Sequence, residues 1–318
     1  MAGDRVTEAA SAPADAASGR VVVVTDSTAS LPAGLAAAHG VLVVPLVVVV
    51  DGVTHHEGVD LGPEDLVAAL SRRAEVTTSQ PAPEAFLEVY RAAAAAGAAR
   101  VVSVHLSGEL SGTARAAALA ARSSPVPVDV VDSRSVATGL GLAALAAARV
   151  AAGGAPAAEV VAVAVRVAAS TRALFVVDSL DHLRRGGRLS AAAAALGTAL
   201  GLRPVLGLRD GRIEVVQKVR TRGAGADRLV EAAVATLSTS TAPRFAVHHL
   251  GDDTAAVACA LRIEEATGRE VLVSPVSAVL GAHVGPGLLA LVSVDDPETA
   301  AATDGVSGPS DRGEPGTG

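Results

Sequence analysis

The sequence has few aromatic and sulfur-containing side chains: its 318 residues include one Cys, one Met, one Tyr, three Phe and no Trp. A single cysteine, Cys259, excludes an internal disulfide framework and a cysteine-rich metal site, which fits a reducing cytoplasm. Since nucleic-acid bases stack on aromatic rings and phosphates attract basic surfaces, the few rings and the net charge of −7 argue against a nucleic-acid partner. We therefore expect a cytoplasmic protein that does not bind nucleic acid.

Long apolar runs are also missing. The most apolar stretch, residues 41–50, contains Pro45 and is about half the roughly 20 residues that a membrane-spanning helix needs. Residues 1–19 carry acidic side chains where a secretory signal has a basic start and an apolar centre. Both observations predict a soluble, intracellular chain.

What the sequence does contain is Ala, Val and Leu, arranged as short β-branched runs that alternate with long Ala-rich stretches. This alternation is typical of an α/β fold with a largely parallel sheet. In the second half, Asp210-Gly211 separates two β-branched runs and predicts an antiparallel hairpin on a type I′ turn. We predict a doubly wound, mostly parallel α/β domain over residues 20–165 and an α+β domain over 166–294. Residues 1–19 and 295–318 have the composition of disordered tails.

These patterns assign every predicted element to a range of residues. The predicted strands are residues 21–25, 41–50, 100–106, 127–131, 174–178, 205–209, 212–218, 244–248 and 270–275. The predicted helices are residues 31–39, 63–72, 83–96, 111–122, 137–152, 156–169, 189–201, 223–236 and 253–267.

Polar residues stand where several predicted strands give way to helices. In α/β sheets such junctions meet at the carboxyl edge, where ligands usually bind. The polar residues in TDSTAS, TTSQP and LSGELSGT include Ser27, Thr78, Ser107, Ser111 and Gly112. Hydroxyls and backbone N–H groups at a helix start can hold an anion, and the same residue types also cap helices without any ligand.

Two further segments carry residues with functional chemistry. DHLRRGGRLS places Arg184, Arg185 and Arg188 around two glycines, a pattern that is usually a solvated basic turn. GAHVGPG places His283 beside Gly285 and its flanking residues. A lone histidine is more often structural, but glycines permit close backbone approach and favour a site at this position.

Signatures of common enzyme and nucleotide sites are absent or misplaced. The order G-E-L-S-G around Ser111 is not a nucleophile elbow. The G-x-G-x-x-A match at residues 139–144 lies well past the end of its strand, whereas a dinucleotide site needs these glycines in the first turn. The histidine pairs lack the spacing of a zinc protease, and no P-loop occurs. The sequence therefore predicts no catalytic residue, no metal site and no cofactor.

Taken together and in chain order, these segments resemble the DegV family of bacterial fatty acid-binding proteins. The resemblance covers about residues 20–292 and rests on VVTDSTASLP, TSQPAPEAF, LSGELSGTARAA, VVDSRSVATGLG, LDHLRRGGRLS, LRPVLGLRDGRI, KVRTR and AHVGPG. It implies two α/β domains that enclose one long-chain fatty acid between them, with the tail buried. It also implies a non-catalytic, lipid-carrying subunit of fatty acid kinase in phospholipid synthesis, whose partner is a separate ATP-binding subunit that phosphorylates the carboxylate.

The resemblance also implies which side chains hold the carboxylate. Thr78 and Ser111 correspond to the family's carboxylate-binding hydroxyls. His283 matches the histidine near the carboxylate, and Arg188 matches the arginine that lines the same region. With the polar junctions included, the candidate ligand-binding residues are Thr78, Ser111, Gly112, Arg188, His283, Ser107 and Ser27.

Two features near these residues have more than one interpretation. Glu109 stands where family members often have a serine, and it either adds a negative charge near the head group or points to solvent. The basic segment 184–188, with Lys218, Arg220 and Arg222, is a candidate surface for docking the kinase subunit or for transient contact with an anionic membrane. Ordinary surface charge explains the same residues equally well.

A buried fatty acid is also physically consistent with the composition. Burial of about 14–16 methylenes contributes a gross 11–13 kcal/mol at about 0.8 kcal/mol each, before the costs of association and ordering. A buried carboxylate without hydrogen-bond partners is unfavourable, so hydroxyls and a nearby Arg or His are expected around it.

Two other functions fit parts of the pattern. A lipid-binding sensor or transport protein would use the same cavity without a kinase partner. A hydrolase of lipid esters would use Ser111 and His283, and it requires a carboxylate that orients the histidine.

Overall fold

The structure is a computed structural model that describes residues 19–189 and 203–297. The predicted helix at residues 189–201, except for its first residue, and most of both predicted tails lie outside the described residues. The predicted tail at 295–318 begins inside the last strand, which ends at Asp295.

The elements of the first half of the chain are, in order, β1 (Val21–Asp26), a 3-10 turn (Ser27–Ala29), α1 (Leu35–Ala38), β2 (Leu42–Val44), β3 (Val47–Val50), β4 (Val53–His56), α2 (Pro63–Ser71), β5 (Val76–Ser79), α3 (Pro83–Ala95), β6 (Arg100–His105), α4 (Thr113–Ala121), β7 (Val128–Asp132), α5 (Ala137–Ala152) and α6 (Ala157–Ser170). Those of the second half are β8 (Arg172–Val176), α7 (Asp181–Arg185), β9 (Arg203–Arg209), β10 (Arg212–Val219), α8 (Arg222–Thr236), β11 (Pro243–His249), α9 (Thr254–Thr267), β12 (Val271–Pro275), α10 (Ala278–Val284) and β13 (Leu289–Asp295).

The first sheet is parallel throughout, with the strand order β2-β1-β6-β7. Every residue of β1 is buried, as expected for a parallel strand with helices on both faces. Val21 and Val23 join the core that contains α5, whereas Val22 and Val24 pack in a core with residues of α3 and α4. The predicted doubly wound arrangement is therefore confirmed.

The second sheet has the order β10-β9-β8-β13-β11-β12 and is antiparallel except between β11 and β12. The predicted hairpin is confirmed: β9 and β10 meet at Asp210-Gly211, whose φ angles of 47° and 78° are those of a type I′ turn. Strand β13, in the interior of this sheet, was not predicted. Its run of apolar residues has no helical or alternating period, and such short runs do not distinguish a buried strand from a helix.

A third, antiparallel sheet with the order β4-β3-β5 corrects two sequence predictions. Residues 41–50 do not form one strand, because Pro45 has no N–H group to donate and the chain changes sheets between Val44 and Val47. The polar segment around Thr78, interpreted as a junction before a helix, is strand β5 itself. This sheet brings Thr78 toward the middle of the molecule.

Helix α5 connects the two large sheets. Its residues 137–148 are all buried, and the helix packs on β1, β6, α6 and β13. A helix that is apolar on all sides must be covered on all sides, and small side chains allow both sheets to approach it. The expected domain boundary after residue 165 falls within α6, which packs on both α5 and β13, so the division at that residue stays a prediction.

The glycines of the G-x-G match serve this packing. A Cβ atom on Gly139 would lie 2.3 Å from Oγ of Ser135, and one on Gly141 would lie 2.7 Å from the carbonyl oxygen of Ala29. In the described part of the chain, no helix has the length and apolarity needed to cross a membrane.

We expect Gly141→Ala to lower the free energy of unfolding by roughly 1–3 kcal/mol, the usual cost of overpacking, because the added methyl group meets backbone. Urea denaturation measures this change. The matched control is Gly223→Ala at the exposed start of α8, where the nearest atom to a new Cβ is 3.9 Å away and no loss is expected. Equal stabilities of Gly141→Ala and the unmodified protein would contradict the packing argument.

Candidate functional site

A cavity of about 170 Å³ lies between the first and second halves of the fold. A cavity needs a volume of only about 10–15 Å³ to hold one buried water molecule, so this space is far larger than an ordinary packing defect. Its lining combines side chains of β5 and of the loop after β6 with side chains of β8, β13 and α10. The space is therefore bounded by elements from both halves of the chain.

Most of the lining is aliphatic, and strand register explains how it is arranged on the six-stranded sheet. Phe175 of β8 lies beside Ala290 of β13, which lies beside His248 of β11. In the adjacent row, Ala173 lies beside Val292. All five side chains line the cavity. The small Ala173 and Ala290 leave space that larger residues would fill, which suits a slender apolar ligand.

The polar part of the lining includes a contact between two residues that are 205 positions apart in the sequence. Oγ1 of Thr78, on β5, lies 2.8 Å from Nε2 of His283, in the last turn of α10. Both side chains line the cavity. The structure thus brings together two of the residues that the sequence analysis singled out.

Ser111 and Gly112 line the same cavity, immediately before α4 begins at Thr113. Oγ of Ser111 lies 2.8 Å from Oγ1 of Thr113, and Nε2 of Gln80 donates to the carbonyl oxygen of Gly112 at 3.1 Å. A Cβ atom on Gly112 would come within 2.6 Å of the Gln80 amide, so any other residue here requires the Gln80 side chain to move and to give up its bond to Gly112. Because α4 starts here, the positive end of its dipole lies at the cavity, where it favours an anion.

Arg188 also lines the cavity and is held by backbone carbonyl groups. Its Nε donates to the carbonyl oxygen of Leu110 at 3.1 Å, and a terminal nitrogen donates to that of Gly186. Gly186 lies directly against His283, since a Cβ atom there would be 2.2 Å from Nδ1 of the histidine. Arg188, His283, Thr78 and Ser111 therefore belong to one polar group of lining residues.

Burial sets the protonation state of the histidines in the lining. It lowers the pKa of His283 to about 4, and the positive charges of Arg188 and His182 lower it in the same direction. Burial likewise lowers the pKa of His248 to about 4. Both imidazoles are neutral at pH 7, so the positive charge in the lining at that pH comes from Arg188.

The tautomer of His248 follows from its partners. Its Nδ1 lies 3.2 Å from the carbonyl oxygen of Ser274, and its Nε2 lies 3.0 Å from Oγ1 of Thr138. Since a carbonyl only accepts, Nδ1 carries the proton and Nε2 accepts from the Thr138 hydroxyl. Sequence reasoning missed His248 as a lining residue, because only the pairing of β11 with β13 places it there.

Two of the seven candidate residues are not brought to the cavity. Oγ of Ser27 accepts from the backbone N–H of Leu46 at 3.0 Å, and Oγ of Ser107 donates to the carbonyl oxygen of Gly211 at 2.8 Å. Both hydroxyls bond to backbone groups of distant segments, whereas the alternative to ligand binding in the sequence analysis was a cap on the following helix. Gln80 lines the cavity and was part of the TTSQP motif, although it was not among the candidates.

The alternatives for Glu109 are also decided. Its carboxylate pairs with Arg212 at 2.6 Å, at the start of β10, and it does not line the cavity. Together with Ser107 it attaches the β9–β10 hairpin to the loop that precedes α4.

The described residues hold no metal cluster, and their buried Asp–His pair lies away from the cavity. Residues 19–189 and 203–297 contain no group of three or more His, Cys, Asp or Glu that could hold a metal ion. Asp26 accepts from Nδ1 of His105 and from the N–H of Leu106, but this pair is fully buried and does not line the cavity. Within those ranges His283 has Thr78 as its partner, and no carboxylate orients it.

Comparison with known proteins agrees with the fold. A family model described as "Uncharacterised protein, DegV family" matches residues 20–296. A DegV domain-containing protein of Streptomyces coelicolor is 49% identical over 275 residues, which are 86% of this chain and 97% of that protein. A solved structure described as fatty acid binding of a DegV family protein from Thermus thermophilus is 35% identical, with a TM-score of 0.80, and covers 87% of this chain and 99% of its own. The structure of DegV, a fatty acid binding protein from Bacillus subtilis, is 30% identical with a TM-score of 0.81. The match covers 87% of this chain and 99% of the Bacillus subtilis chain.

We expect the ring signals of His283 in NMR spectra to stay constant as the pH falls through 6.5, the ordinary histidine pKa, and to change only near pH 4. Because the unfolded chain binds protons on His283 and His248 below pH 6.5 while the native state keeps both neutral, stability should fall as the pH falls from 6.5 toward 4. A His283→Asn spectrum assigns the signals. Titration of His283 at or above pH 6.5 would show that the imidazole is not buried as described.

Proposed function

This chain belongs to the DegV family, and we propose that it binds one long-chain fatty acid in the cavity described above. The observation that carries the proposal is the Thr78–His283 contact, which places hydroxyl and imidazole groups in the lining of an otherwise aliphatic space. It is supported by the similarity to the Thermus thermophilus and Bacillus subtilis proteins, which are described as fatty acid binding.

The lining supplies what each end of such a ligand requires. The tail would lie against small and aliphatic side chains such as Ala173, Ala290 and Val292, and its burial would provide most of the affinity. The carboxylate would accept hydrogen bonds from Thr78 and Ser111. The fixed charge of Arg188 and the start of α4 would offset the negative charge of this head group.

The protein would then present the carboxylate to a separate, ATP-dependent kinase subunit in the cytoplasm. A carboxylate oxygen attacks the γ-phosphorus of ATP, the bond from that phosphorus to the bridging oxygen breaks, and ADP leaves with the electron pair. The product is an acyl phosphate for phospholipid synthesis. In this proposal the ATP-binding groups come from the partner.

The hydrolase alternative has less support from the geometry. A serine nucleophile requires a base within hydrogen-bond reach. Oγ of Ser111 pairs with Thr113, and Nε2 of His283 pairs with Thr78. The two residues line one cavity without forming a nucleophile–base pair.

Mass spectrometry of lipids extracted from the denatured protein should detect one long-chain fatty acid.

Thr78→Val, which keeps the shape and removes the hydroxyl, should weaken fatty acid binding roughly tenfold or more, since a hydrogen bond to a charged group contributes about 1.5–3 kcal/mol. Thr54→Val, on the exposed strand β4 outside the lining, is the control and should bind normally. An unaltered affinity of Thr78→Val, or a protein that binds no fatty acid, would refute the proposal.

The kinase role is tested by mixing the protein with oleate, ATP and the ATP-binding subunit, and trapping acyl phosphate with hydroxylamine. Acyl phosphate should form only in the complete mixture. His283→Ala should reduce turnover, because it removes the imidazole that contacts the Thr78 hydroxyl proposed to hold the carboxylate. Bound oleate without acyl phosphate would indicate a sensor or transport protein. Ester cleavage by the isolated chain would indicate the hydrolase. Full turnover by His283→Ala would show that His283 does not contribute to phosphoryl transfer.

A further inference from the structure

A groove of about 240 Å³ lies on the face of the six-stranded sheet that packs on α8. We call it the back groove. Its lining includes Leu174 and Leu291, which contact the core beneath α8, whereas Phe175 and Val292, which line the cavity of the candidate site, belong to the core around α5. Val216, where the pairing of β10 with β9 shifts register, is 43% exposed in the same lining. The back groove is therefore a separate apolar surface on the other side of the sheet.

The charge of the back groove comes from two arginines. Among the described residues, its lining contains Arg172 and Arg209 and no carboxylate. Leu174 of β8 lies opposite Gly207 of β9, and two residues further along each strand the same register places the two arginines opposite each other. Both are exposed, and in the described parts of the chain neither forms an ion pair. Because like charges directly opposite one another destabilise a sheet, an anion between them would be stabilising.

Two carboxylates at the end of β13 are held elsewhere. Ser293 lines the back groove and lies opposite Arg172, and β13 ends two residues later at Asp295. Asp295 accepts hydrogen bonds from groups in the turn before β11, and Asp296 pairs with Arg149. The chain therefore leaves the sheet beside the back groove without supplying it with a carboxylate.

The residues that follow carry the opposite charge. Residues 298–318 contain four carboxylates and one arginine, a net side-chain charge of −3. They also contain small apolar side chains, those of residues 300–302 and Val306, between acidic positions. An extended chain spans about 3.3 Å per residue, so this segment is long enough to return from Pro297 along the whole groove.

We infer that residues 298–318 bind in the back groove of the same chain, with their carboxylates at Arg172 and Arg209 and their apolar side chains on its floor. Each exposed ion pair contributes little by itself. Because the segment is attached to β13, however, binding is intramolecular and its effective concentration at the groove is high. The inference does not depend on the proposed function, since the back groove and the candidate site lie on opposite faces of the sheet.

A spin label attached to the segment tests this contact in the full chain. Ser307→Cys gives a single reactive position, because Cys259 is buried. A nitroxide attached there should reduce the intensity of the backbone amide NMR signals of Gly207 and Val216, which line the groove. About 1 M NaCl, where the Debye length is roughly 3 Å, should restore most of this intensity.

Variants of the arginines show whether the charges direct the contact. Arg172→Gln and Arg209→Gln should each weaken the loss of intensity. Arg244→Gln, an exposed position at the start of β11 outside the lining, is the matched control and should leave it unchanged. Arg172→Glu combined with Arg209→Glu should abolish the effect, and the addition of Glu298→Lys and Asp304→Lys should restore it, a recovery that misfolding cannot produce.

Other results would overturn the inference. The segment does not bind in the back groove if the signals of Gly207 and Val216 keep their intensity, if signals over the whole surface lose it equally, or if the arginine variants change nothing. A mixture of isotope-labelled protein without the nitroxide and unlabelled protein that carries it separates the two copies. A loss of intensity in this mixture would show that the segment binds a second copy of the chain instead of its own.

Discussion

The packing of α5 between two sheets is the constraint on which the rest of the structure depends. Residues 137–148 are buried on every side, and Gly139 and Gly141 lie where a Cβ atom would collide with neighbours. The helix holds the parallel sheet and the six-stranded sheet at a set distance. The cavity extends beside its first turn, where Val136 and Ala137 contribute to the lining. A bulkier helix would push the two sheets apart and separate the residues that line the cavity.

The polar group of the site depends on contacts that tie α10 to the first half of the chain. The N–H of Val279 donates to the buried carboxylate of Glu57 at 3.3 Å, and the N–H of Ser277 donates to Oγ of Ser30 at 3.0 Å. Burial raises the pKa of Glu57 to about 7, which is the cost of placing a carboxylate at this helix start. These bonds set the position of α10, and the helix in turn carries His283 to Thr78. The site is thus completed by α10, near the C-terminal end of the described chain, which packs on β3 and β5 from the N-terminal half.

Sequence reasoning succeeded where the signal was local. Asp210-Gly211 requires positive φ angles at both positions, so the hairpin was predicted from two residues. It failed where neighbours in space decide the outcome. Strand β13 has no period of its own and is defined by pairing with β8 and β11. Ser27 and Ser107 resemble ligand-binding hydroxyls in the sequence, yet each is used by a backbone group from a distant segment.

The sequence by itself determined the alternation of strands and helices, the turn at the hairpin, and the residue types that can hold a carboxylate, because these follow from local backbone preferences and side-chain chemistry. Only the tertiary structure decided which of those residues meet. Thr78 and His283 form a pair because β5 and α10 pack together, and Glu109 turns away because Arg212 lies within reach. A residue's chemistry is carried in its side chain, but its partners and its burial, which set its protonation and its availability, are properties of the folded chain.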